Sequence, residues 1–191
     1  MRRRFEVMTV LELRQYTLHP GKRDELITLF EREFVDGQLA VGMTLPGLFR
    51  DLDDPDRFVW LRGFTDMAAR REALTAFYSG PVWQAHRDQA NATMIDSDNV
   101  LLLRPLRGFP TEPVAGPISA TIHYFDAPVS DDVLEKALAE PFLAVAVTEH
   151  AENTFPQLPV RVGEHVVVTF GSGVDLSERV EHLSLEATSF R

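Results

Sequence analysis

Four prolines and two glycines fall between Pro105 and Pro117, a composition that suits neither helix nor sheet and marks a connection between two halves. The pattern before this break starts again after it. A strand signal from Val7 to Leu18 has its match in Ala120 to Phe125, and Leu13 with Ile122, Arg57 with Glu164, and Leu101 with Leu183 occupy corresponding places. In a chain of 191 residues each half then has the size of one small unit.

The first half reads as βαββαβ. Pro20 and Gly21 end the first strand, and Leu26, Ile27, Leu29, Phe30 and Phe34 recur at helical spacing between Lys22 and Val35. A strand near Leu48 to Asp51 turns through Asp54, Pro55 and Asp56 into a third, Phe58 to Phe64. Thr65 or Asp66 caps a second helix, which carries Met67, Leu74, Phe77 and Tyr78 on one face and stops at Gly80 and Pro81. A helical piece from Trp83 to Ala90 precedes a fourth strand, Val100 to Arg104. In the second half Ser130 caps a helix bearing Val133, Leu134 and Leu138, and strands follow at Leu143 to Glu149, His165 to Phe170 and Leu183 to Thr188. Only Val174 to Arg179 stands where a second helix belongs. The expected fold is α+β: two ferredoxin-like βαββαβ repeats, 1–107 and 118–191, joined by a linker at 108–117 and packed into an α/β barrel, the second repeat degenerate with a shortened second helix.

Composition removes several functions. A formal net charge of -10 repels phosphate backbones and anionic lipid, so neither nucleic acid nor membrane is expected as a partner. No uncharged run reaches the roughly 18 residues that cross a bilayer, and Arg2, Arg3 and Arg4 lead to Glu6 instead of an apolar signal core, which points to the cytoplasm. Without cysteine there are no disulfides, thiolate metal sites, iron–sulfur clusters or Cys nucleophiles. Asp51, Asp53, Asp54 and Asp56 lack the glycine and distal Glu of a calcium loop and read as a solvated turn. His19, His86 and His182 show no metal spacing, no histidine is singled out as a haem ligand, and no phosphate-cradling or dinucleotide glycine motif is present. Neither cofactor nor metal is expected.

Charges in mid-strand are the informative exception, because burying them is costly unless they are paired. Strand alternation puts Leu11 and Leu13 on one side of the first strand and Glu12, Arg14 and Tyr16 on the other. In the third strand Val59 and Leu61 oppose Phe58, Trp60, Arg62 and Phe64; His123 with Phe125, and His165 with Val167 and Thr169, take the matching places in the second half. If the aliphatic sets meet the helices, the polar and aromatic sets enter the space between the two sheets. Two readings follow. The charges form a closed Glu–Arg network that fixes how the halves dock, or they line a ligand pocket. In the pocket reading Arg14 or Arg62 holds an anionic or enolic oxygen, Tyr16 donates a hydrogen bond, Trp60 and Phe64 stack on an apolar body, and His123, or Glu12 if burial raises its pKa, serves as base; a single strand histidine such as His123 reads equally as a hydrogen-bonded core residue. His150 and the Pro-rich stretch Asn153 to Pro159 suggest either a lid or a plain connection.

The run Glu12-Leu-Arg-Gln-Tyr-Thr-Leu-His-Pro-Gly-Lys22 resembles the opening motif of the NIPSNAP family, and the likeness continues through Gly47 to Arg50, Arg57 to Phe64 and Met94 to Pro105. The resemblance implies a dimeric α/β-barrel superfamily fold of ferredoxin-like units. Relatives in that superfamily include cofactor-free quinol monooxygenases, muconolactone-type isomerases, haem enzymes and ligand-sensing domains, and none of their catalytic motifs can be matched here. The expectation is therefore a protein that binds a small aromatic or quinone-like molecule in a barrel cavity, as a cofactor-independent monooxygenase or isomerase. The alternative is a noncatalytic ligand-binding or assembly module with a self-filled barrel. A homo-oligomer, in the simplest case a dimer, is expected in either case, since open sheet faces and exposed strands invite pairing.

Overall fold

A computed structural model describes residues 7–189, so Arg2, Arg3, Arg4 and Glu6 lie outside the described residues. The first half comprises β1 (Val10–Leu18), α1 (Arg23–Leu29), a π-helical turn (Phe30–Phe34), α2 (Val35–Ala40), β2 (Thr44–Asp51), β3 (Arg57–Phe64), α3 (Met67–Ser79), α4 (Pro81–Ala92) and β4 (Met94–Arg107). The second comprises β5 (Pro117–Phe125), α5 (Asp131–Ala139), β6 (Ala144–Thr148), β7 (His165–Phe170) and β8 (Arg179–Ala187). Residues 171–178, where a second helix would fall, form no helix.

Each half builds an antiparallel sheet with the same strand order, β4-β1-β3-β2 and β8-β5-β7-β6, and β2 pairs with β8 while β4 pairs with β6 to close an eight-stranded barrel. Among the described residues every strand is therefore paired on both sides along at least part of its length.

The barrel interior is apolar and filled by its own aliphatic and aromatic side chains. Leu11, Leu13, Val59, Leu61, Ile122 and Val168 belong to one buried cluster that draws on all eight strands. The polar set predicted for this space is on the opposite face: Glu12, Arg14, Tyr16, Trp60, Arg62 and Phe64 lie between the first sheet and its helices, and His123 lies outside the barrel in the second half. The reason is polarity as much as size. An eight-stranded lumen is filled by apolar side chains, Phe49, Tyr124 and Phe170 among them, whereas the buried charges find their partners Gln38, Tyr78 and Arg70 on the helices of the outer layer. Because β1 and β3 are buried on both faces, alternation separates their two faces without saying which is which.

The linker seals one end of the barrel. Phe109 and Val114 pack against the interior cluster, and the Val114 N–H donates to the Pro46 carbonyl at 3.1 Å. Gly108 has φ of 82°, and a side chain there would meet the Leu143 carbonyl.

Over the first sheet, Asp66 caps α3 by accepting from the Ala69 N–H at 2.7 Å, and Pro81 begins α4 without wasting a donor. Gly37 on α2 allows the Phe77 ring of α3 to approach closely. The acidic turn is capped by its own chain: Asp51 and Asp54 accept from the Asp53 and Asp56 N–H groups, and Arg23 donates to the Asp51 and Asp54 carbonyls. Among the described residues no helix is long and apolar enough to cross a membrane.

Candidate functional site

Cross-strand pairing of β1 with β3 sets Glu12 opposite Arg62 and Arg14 opposite Trp60. Arg14 Nη1 donates to Glu12 Oε1 at 2.8 Å and to Oε2 at 3.2 Å; Arg62 Nη2 donates to the same two oxygens at 2.8 and 3.2 Å. A third guanidinium arrives from α3, with Arg70 Nε 3.8 Å from Glu12 Oε2. All four side chains are at most 1% exposed. One carboxylate therefore faces three guanidiniums, leaving a buried excess of positive charge.

Aromatic faces help to hold this charge. Trp60 lies 5.4 Å from the Arg14 guanidinium and 4.9 Å from that of Arg62, and Phe64 lies beneath Arg62 and Arg70 at 5.9 and 6.0 Å. Burial alone would raise the pKa of Glu12, but Arg62, Arg14 and Arg70 outweigh it and bring the value down to about 2. Glu12 is therefore a fixed anion and too weak a base for neutral pH, contrary to the role expected for it from sequence. Burial opposes the charge on Arg14 and Arg62 as well, yet Tyr16, Glu12 and Tyr78 beside Arg14, and Glu12 and Tyr78 beside Arg62, keep both pKa values above the ordinary arginine value.

The network opens onto a cavity of about 80 Å³ through its hydrogen-bond partners. Arg14 Nε donates to the Tyr16 hydroxyl at 3.1 Å, and Arg62 Nη1 donates to the Tyr78 hydroxyl and to Gln38 Oε1, each at 3.1 Å. Tyr16, Gln38, Trp60 and Tyr78 all line the cavity, while Phe30, Phe34, Phe77, Trp83 and Leu158 make much of its apolar wall. The wide π-helical turn brings Phe30 and Phe34 to one face, their rings 5.8 Å apart and edge to face. Since Tyr16 and Tyr78 accept from guanidiniums, their own hydroxyl protons remain free to be donated. The Trp60 indole N–H is buried without a hydrogen-bond partner among the described residues, as are Arg70 Nε and Nη2.

The loop after β6 crosses from the second half to cover this site. Asn153 Oδ1 and Thr154 Oγ1 accept from Arg70 Nη1 at 2.9 and 3.3 Å, Phe155 stacks on Tyr78 at 6.0 Å, and Leu158 reaches the cavity.

His123 lies in the other compartment. Its Nδ1 accepts from the Leu176 N–H at 3.0 Å, and its Nε2 lies 3.0 Å from Thr169 Oγ1, so the neutral tautomer protonated at Nε2 satisfies both nitrogens. Burial lowers its pKa to about 4, against the pull of Asp175. The base expected at His123 is thus a hydrogen-bonded core histidine, remote from Glu12 and Arg14. The His150 and His165 rings are tilted at 50° with centroids 5.5 Å apart, and among the described residues no group of three or more His, Asp or Glu could hold a metal ion.

Sequence reasoning brought together Glu12, Arg14, Tyr16, Trp60, Arg62 and Phe64, and these do converge, with Tyr16 and Trp60 in the cavity wall and the others behind it. It missed Arg70, Gln38 and Trp83 as members of the site. Arg70 falls at helical spacing with Met67, Leu74 and Phe77, a signal that it belongs on the buried face.

The sequence profile of the NIPSNAP family matches residues 11–108, more than half of the chain. The chain belongs to the NIPSNAP family. The matched NIPSNAP region ends just past β4, so it contains every cavity residue except Leu158. A NIPSNAP domain protein from Burkholderia xenovorans is 20% identical, with 53% of this chain and 98% of that one covered and a TM-score of 0.47. A NIPSNAP family protein of unknown function from Agrobacterium tumefaciens is also 20% identical, over 58% of this chain and 99% of that one, at 0.49. A Lactobacillus acidophilus protein provisionally described as a monooxygenase aligns over 95% of this chain and 94% of its own at a TM-score of 0.57, with 13% identity, so it shares the two-unit fold. Among curated proteins none matches this NIPSNAP chain.

Proposed function

We propose that this NIPSNAP protein binds a small planar organic anion, an ionised enol, phenol or hydroxyquinone, in the cavity between the first sheet and its helices. The observation that carries the reading is the imbalance of three buried guanidiniums against one carboxylate beside an aromatic cavity. A bound anion offsets that excess, and its charged oxygen receives the free hydroxyl protons of Tyr16 and Tyr78. The unpartnered Trp60 N–H supplies a further donor at the cavity wall. No lining residue is a histidine, carboxylate or lysine, so the ligand must be acidic enough to arrive ionised.

The reaction we assign to such a site is cofactor-independent oxygenation. A ring CH₂ beside an enolised carbonyl gives up both C–H bonds, four electrons in all, to dioxygen: two electrons form a carbon-bound hydroperoxide, and loss of the second C–H proton with cleavage of the O–O bond leaves one oxygen as a new ring carbonyl and releases the other as water. The chain contributes enclosure and a positive field that stabilises the substrate anion and reduced oxygen species. The provisional description of the Lactobacillus acidophilus protein supports the reaction class through shared fold.

A second reading, a noncatalytic module, is favoured by one observation: Glu12 already accepts from both Arg14 and Arg62, as a self-contained network would. Oxygen uptake and binding measured with a panel of acidic quinols and enols separate the two. The anion site predicts at least a tenfold loss of affinity in Arg14→Leu with the fold retained, and unchanged binding in His123→Ala. Uptake at background with every compound leaves the noncatalytic reading. If no compound binds, the anion site itself is wrong.

A further inference from the structure

We infer that the loop of the second half spanning residues 149–164 sets the size of ligand that the first half accepts, with Leu158 as the specificity-determining residue. This rests on the reading of the cavity as an anion site. Leu158, Tyr78 and Trp83 line both the inner cavity and a more open groove outside it, which also takes in Phe155, Thr75 and Gln84. These three side chains are therefore the partition between the two spaces. Tyr78 and Trp83 are held within the helical layer, their rings 5.0 Å apart and edge to face, so Leu158 is the member of the partition carried by a loop.

The loop is placed firmly enough to act as a wall. Its Thr154 hydroxyl donates to the Met67 carbonyl at 3.2 Å, and the Arg161 N–H donates to the Val100 carbonyl at 2.9 Å, so it is tied to the first half on both sides of Leu158. Just before the first tie Asn153 braces the turn, donating to the Leu158 carbonyl at 2.9 Å and accepting from the Phe155 N–H at 3.0 Å. Phe155, stacked on Tyr78, is a positioning residue. With Leu158 in place the inner cavity holds about 80 Å³, room for several waters but less than the roughly 150 Å³ that takes a benzene ring, so even a one-ring ligand presses on this wall. Shortening this side chain joins the cavity to the groove and admits larger ring systems. The region matched to the family ends at residue 108, so a wall at 158 is contributed from outside it.

The test uses the full chain and three probes of increasing size: a nitrophenolate, a hydroxynaphthoquinone and a hydroxyanthraquinone. Quenching of tryptophan fluorescence reports binding directly, because the chain's two tryptophans, Trp60 and Trp83, both line the cavity. Leu158→Ala is expected to raise the affinity for two-ring relative to one-ring probes by about tenfold or more, the scale on which wall methylene groups discriminate. Leu158→Trp is expected to move the ratio the other way, and Val162→Ala, an exposed position in the same loop, to leave it unchanged. Thermal melts confirm that each variant is folded. Wild-type binding with a ratio constant to within about twofold across the Leu158 variants overturns the inference and leaves the anion site standing. Failure of all probes to quench the wild type removes the site and this inference together.

Discussion

The two halves carry the same compartment between sheet and outer layer, and they have filled it in opposite ways. Strand registers place Thr121 and Thr169 where the first half has Glu12 and Arg62, and His123 and Val167 where it has Arg14 and Trp60. Four charged or aromatic side chains have thus been exchanged for smaller, neutral groups. The difference follows from the cover. The first sheet has α1 to α4 above it and can hold long side chains with a cavity beyond them, whereas the second has only α5 and the non-helical residues 171–178. That segment brings the Leu176 N–H onto His123, and Phe142 packs near its ring at 6.4 Å. A satisfied histidine suits a closed compartment; unmatched guanidiniums suit one that receives something.

This contrast can be attacked directly. The largest effect is expected from Glu12→Gln, which strips the counter-charge from three buried guanidiniums and should lower stability by about 3–5 kcal/mol in urea unfolding. The matched change Thr121→Val should cost less than about 1 kcal/mol; similar losses at the two positions would mean that the halves do not differ as described. Thr169→Val leaves the His123 Nε2 proton without its acceptor and should cost about 1–3 kcal/mol, with probe affinity in the first half unchanged. A parallel drop in affinity would show that the compartments are coupled.

Acid separates the halves more gently. His123 titrates near 4 in the folded chain against an ordinary value of 6.5, so the unfolded chain binds more protons and its contribution, complete above pH 6.5, fades as pH falls toward 4. Glu12 titrates near 2 against 4.5, so its contribution is complete above pH 4.5 and fades toward 2. His123→Gln should flatten the stability profile in the upper window and leave the lower one intact. An unchanged upper slope would mean that another group titrates there.

Much of this arrangement is legible in the sequence. The βαββαβ order and the missing helix follow from periodicity and turn residues, and mid-strand charge identified Glu12, Arg14 and Arg62 as the place to look. Which side of the sheet they occupy is not legible, because Leu13 and Arg14 are equally buried and alternation carries no label for lumen or helix layer. Arg70 carries a divided signal: its spacing with Met67, Leu74 and Phe77 favours the buried face, while the charge it shares with adjacent Arg71 favours solvent, and of the two only Arg70 is buried. Leu158 has no local signal, since its role exists only once a loop of one half lies against the helices of the other.

The segment between β4 and β5 is more than a tether. With Phe109 edge-on to Phe170 at 5.5 Å and Val114 bonded to Pro46, it works as a stopper whose two ends happen to be the halves it connects. Cutting the chain there would uncork the vessel as well as divide it, so halves made separately and mixed would face a leak that the continuous polypeptide never has.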